Sequence, residues 1–92
     1  MRAWRMALGI TLIFIGAVRA QESLPPGAPC TERLDHYQAV VGADHRTGNV
    51  NDSVYMQIER ELSRAAAACA AGHEGEAMSL IRQSEVRHGY HT

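Results

Sequence analysis

Apolar positions along the chain fall into three blocks with helical spacing, separated by short stretches rich in glycine, asparagine and proline. The central block organises the other two. Tyr55, Ile58, Leu62, Ala65, Ala66 and Cys69 recur at steps of three and four residues, which puts them on one face of a helix. The pattern predicts a helix from about Asp52 to Ala71. Asn51, Asp52 or Ser53 can cap its start through a side-chain oxygen, and Gly72 supplies the left-handed residue that ends it. The alanine run favours the helix intrinsically and lets a neighbour approach closely.

An earlier block places Cys30, Leu34, Tyr37 and Val41 on a second apolar stripe, predicting a helix over Cys30–Val41 with Pro29 in its first turn and Gly42 as a stop. Arg33, Asp35 and Gln38 fall on the opposite face, solvated by default. Ala43–Asn51 is then the connection. A third helix is expected from about His73 to His88, with Ala77, Leu80, Ile81 and Ser84 inward. Gly89 caps it, and Tyr90 is placed to fold its ring back over the last turn. The turn Ala71–Ala77 resembles the one inside a tetratricopeptide repeat. The likeness covers a single turn without the aromatic positions, so it implies a helical hairpin and no peptide-binding role.

Two cysteines allow one pairing. Cys30 opens the first predicted helix and Cys69 closes the second, and in an antiparallel hairpin those two ends are neighbours. The fold expected is all-α: a small three-helix up-down-up bundle in which a disulfide ties the first hairpin.

Met1–Arg5 carries two arginines, Met6–Val18 is an apolar run of 13 residues, and Val18-Arg19-Ala20 ends in small residues. This is the pattern of a secretory signal, with cleavage expected between Ala20 and Gln21. The run is shorter than the roughly 20 residues that span a bilayer, so no membrane span is expected once the leader is removed. The organisation read from the chain is therefore residues 1–20 as signal peptide, 21–29 as a flexible lead-in, and 30–92 as the disulfide-tied helical domain. A periplasmic or extracellular location follows from the leader and agrees with paired cysteines.

Removing the leader changes the charge. All 10 acidic residues lie beyond position 20, whereas Arg2, Arg5 and Arg19 lie before it. Six arginines then face ten carboxylates, a formal charge of −4 over 72 residues, with no lysine. Such a chain lacks the basic footprint that nucleic acid requires.

Candidate chemistry is sparse. Asp44–Tyr55 fails the calcium-loop pattern, holding Arg46 at its third position, Gly48 at its fifth and Tyr55 at its twelfth. Asn51-Asp52-Ser53 has the form of a glycosylation acceptor, which matters only in a eukaryotic secretory pathway. Glu85, His88 and His91 could supply carboxylate and imidazole to a first-row metal. Asp52, Glu59, Glu61, Glu74 and Glu76 could meet their equivalents across a dimer and hold a hard cation such as calcium or a lanthanide. No serine sits in a glycine-flanked elbow, and paired carboxylates such as Glu59 and Glu61, two apart on a helix, point different ways, so catalysis is not expected. The function expected is that of an exported, non-enzymatic accessory or binding protein acting through a protein partner or by self-association. Val40, Met56, Met78 and Val86 are its apolar contact candidates. A metal-ion binder or chaperone is the alternative.

Overall fold

The computed structural model describes residues 23–90, so the expected leader and its cleavage point at Ala20 lie outside the described residues, as does His91. Three helices follow one another: α1 (Pro29–Arg46), α2 (Asp52–Ala70) and α3 (Glu74–Arg87). Each packs against the other two, α2 and α3 most extensively. The chain runs up, down and up. No helix among the described residues is long and apolar enough to cross a membrane.

Cys30 and Cys69 are joined, as the hairpin argument requires, across a sequence separation of 39 residues. Both are buried, and Thr31 Oγ1 lies 3.5 Å from Cys69 Sγ. A loop of this size stabilises by roughly 2–4 kcal/mol through the unfolded chain's lost freedom. An intramolecular disulfide accords with an oxidising compartment.

The start of α2 is fixed by Asn51, whose Oδ1 accepts from Val54 N at 2.9 Å. The end of α1 differs from expectation. The helix runs through Gly42 to Arg46, four residues beyond the expected Gly42 stop, and the connection shrinks to Thr47–Asn51. Glycine inside a helix costs only about 1 kcal/mol. The stop goes instead to Gly48, with φ of 85°, where Gly48 N and Asn49 N donate back to the carbonyls of His45 and Asp44. Gly89 repeats this arrangement after α3, and it turns Tyr90 back toward α1.

The core is built from Leu34, Tyr37 and Val41 of α1, Ile58, Leu62 and Ala65 of α2, and Ala77 and Ile81 of α3. Tyr55, Ala66 and Leu80, expected on the inner faces, are partly buried against it. Leu24 also packs on this core, behind a turn in which Ala28 N donates to Pro25 O.

Candidate functional site

α2 touches both other helices, so it buries a wider arc than one apolar stripe. Glu61 lies three residues after Ile58 and four before Ala65, inside that arc, and it is 8% exposed. Its carboxylate collects four donors. Ser84 Oγ donates at 2.6 Å, Arg87 Nη1 at 2.8 Å, His88 Nε2 at 3.1 Å and Gln57 Nε2 at 3.2 Å. An ionised carboxylate only accepts, so His88 carries a proton on Nε2. Burial by itself would push the Glu61 carboxyl up. The hydrogen bonds from Ser84 and Arg87, with the charges of His88 and Arg87, outweigh it and hold the group below its ordinary value.

Ser84 has one hydrogen and gives it to Glu61. The 3.0 Å contact between Tyr37 Oη and Ser84 Oγ is therefore a donation from tyrosine to serine. The Tyr37 ring lies in the core, and burial pushes its phenol above the ordinary value. A relay of Tyr37, Ser84 and Glu61 thus runs through all three helices. Serine, acid and imidazole are all present here, but the order is wrong for nucleophile activation. Histidine lies beyond the carboxylate, and the serine hydroxyl is sealed beneath the helices. The trio locks the helices' relative rotation.

A second polar pair lies beside the first. Arg33 Nε and Nη2 donate to the two oxygens of Glu85 at 2.8 and 2.7 Å, joining α1 to α3. Glu85 is buried, and the carboxylate both hydrogen-bonds the Arg33 guanidinium and faces its charge, raising the arginine above its ordinary value. Arg33 is thus a cross-helix partner and not a solvated bystander. Further along, Tyr90 Oη donates to Asp44 Oδ2 at 2.7 Å, while its ring meets Tyr37 edge-on with centroids 5.4 Å apart. Burial, then the bond and charge of Asp44, push the Tyr90 phenol up to about 12.

These residues floor an open groove of about 840 Å³ between α1 and α3. α1 turns Pro29, Tyr37 and Val40 to it, and Met78 and Tyr90 face them from the far side. Glu32, His36 and Asp44 add polarity along the α1 wall. A smaller cavity of about 160 Å³ lies between α1 and α2, lined by Leu24, Leu34, Leu62 and Glu59 among others. Glu59 accepts from Gln38 on Oε1 and leaves Oε2 buried without a partner. On the surface, His45 stacks on Tyr55 with centroids 3.9 Å apart and meets Asp52 Oδ1 at 2.7 Å.

The proposed metal ligands are not drawn together where they are described. Glu85 faces Arg33 on α1 and His88 faces Glu61 on α2, while His91 lies outside the described residues. No three of His, Cys, Asp and Glu gather to hold a metal ion among the described residues. Of the carboxylates considered for a shared cation, Glu61 points inward to its four donors, whereas Asp52 and Glu76 are exposed. Of the four apolar contact candidates, Val40 and Met78 line the groove, and Met56 and Val86 stand more than half exposed at 57% and 55%. The groove itself was not legible in the sequence, because its walls come from helices some forty residues apart. The chain matches no protein-family model, no curated protein and no solved structure.

Proposed function

We propose that this is an exported, non-enzymatic accessory protein, working outside the cytoplasm by binding a protein partner in the α1/α3 groove. One observation carries the reading: the groove is wide and open, yet over the buried Tyr37 ring it is walled by Val40, Met78 and Tyr90, half-buried side chains that gain by leaving water. Its floor is held rigid by the Arg33–Glu85 and Tyr90–Asp44 contacts, so little ordering is required on binding. The leader pattern and the buried disulfide support export to a periplasmic or extracellular space. The metal-binding alternative has less behind it, since Glu85 and His88 are each engaged by another side chain.

The test is selection of a random dodecapeptide phage library on the purified, disulfide-intact protein. Enriched peptides should lose binding to Val40→Asp, which places a charge on the groove wall while Val40 stays outside the core cluster. No enrichment, or peptides that bind the parent and Val40→Asp equally, would refute the groove as the binding face.

A further inference from the structure

The distribution of charge along the groove selects among partners. Among the described residues Arg33 is its one arginine, and Glu85 neutralises it through both oxygens. Among the described residues two carboxylates meet no cation, Glu32 near the start of α1 and Asp44 near its end, the latter only accepting from the Tyr90 hydroxyl. They stand twelve residues apart on one continuous helix, about 18 Å at the rise of an α-helix. Between them lie Tyr37 and Val40, with His36 alongside. The wall therefore reads acid, apolar, acid.

α1 and α3 run in the same direction with α2 behind them, which leaves the groove as the place where a fourth helix completes a bundle. A groove about 18 Å long between its acids matches three turns of helix, and an amphipathic helix is the element that fills such a groove with its apolar stripe. Resting on the reading of the groove as the binding face, the geometry points to a partner that inserts a basic amphipathic helix, with an arginine or lysine near each end of a short apolar stripe, meeting Glu32 and Asp44. The net acidity of the chain beyond residue 20 favours the same sign of partner by steering its approach.

The probe is a synthetic fifteen-residue helical peptide carrying a Leu/Ile stripe and an arginine near each end, beside a copy with glutamate in place of both arginines. Binding to the disulfide-intact protein is read by fluorescence anisotropy in low salt and again in 0.5 M NaCl. The basic peptide should bind and the acidic copy should not. The double variant Glu32→Gln/Asp44→Asn, which keeps an acceptor for Tyr90, should weaken binding by roughly threefold to thirtyfold, from two exposed ion pairs. The difference should shrink in high salt. An unchanged thermal melt of the double variant establishes that its fold is intact. If Val40→Asp abolishes binding while the charge variant leaves it untouched, the basic partner is refuted and the groove survives. If the basic peptide fails to bind, or binds Val40→Asp as well as the parent, the inference is overturned. The library peptides then decide separately whether the groove reading stands.

Discussion

Replacing Glu61 tests the account of what holds the three helices in register. In Glu61→Ala the hydroxyl of Ser84, 1% exposed, loses its acceptor, and a buried donor without a partner costs about 1–3 kcal/mol. The His88 side chain, 10% exposed, loses its partner too and adds about 1 kcal/mol. Arg87 is 49% exposed and can turn into water, so its share is at most about 1 kcal/mol. The expected loss is about 2–5 kcal/mol, a large part of the stability of so small a domain. In melting temperature it corresponds to a fall of roughly 8–40 °C. Glu61→Gln keeps an oxygen for Ser84 but turns an amide donor toward Arg87 or His88, and it should lose about half as much. The pH dependence sharpens the test. The folded carboxyl lies below the unfolded value of 4.5, so its contribution is complete above that pH and is lost as pH falls through the folded value. Urea unfolding followed by circular dichroism at pH 7 and at pH 3 should show the gap between parent and variant wide at the first and narrowed at the second. A Glu61→Ala protein within about 0.5 kcal/mol of the parent at pH 7, or a gap that ignores pH, would refute the locking role.

Leu62→Ala, at the centre of the α2 face, should cost about 2–5 kcal/mol and leave the protein largely unfolded at room temperature in the same urea assay; near-parental unfolding would contradict its place in the core. Reduction of the Cys30–Cys69 bond should lower stability by roughly 2–4 kcal/mol, read as a drop in melting temperature with reductant present. Phenolate absorbance followed with rising pH should show Tyr37 and Tyr90 ionising above the ordinary tyrosine range, and Tyr90→Phe should remove the titration near 12. Because the Tyr90 value is raised, its contribution to stability is intact below about pH 10 and lost as pH climbs toward 12. A parent whose melting temperature stays flat across that range would speak against the Tyr90–Asp44 contact.

Helix content, helix order and the covalent tie are written locally, in features a linear reading can use. Apolar spacing depends only on the 3.6-residue turn, Asn51 caps through a bond to a residue three positions on, and two cysteines have one way to pair. Even the misplaced end of α1 had a local sign, since Gly48 followed by Asn49 is as strong a stop as Gly42. Only the tertiary structure decided the fate of the charged residues. Arg33 meets Glu85 across 52 positions and Glu61 meets Ser84 across 23, and each contact depends on how far one helix is rotated and shifted against its neighbour. That rotation is a property of packed surfaces, set by the fit of small residues such as Ala65 and Ala77, and no single helix encodes it. The groove between α1 and α3 follows from the same packing, which leaves one side of the bundle uncovered.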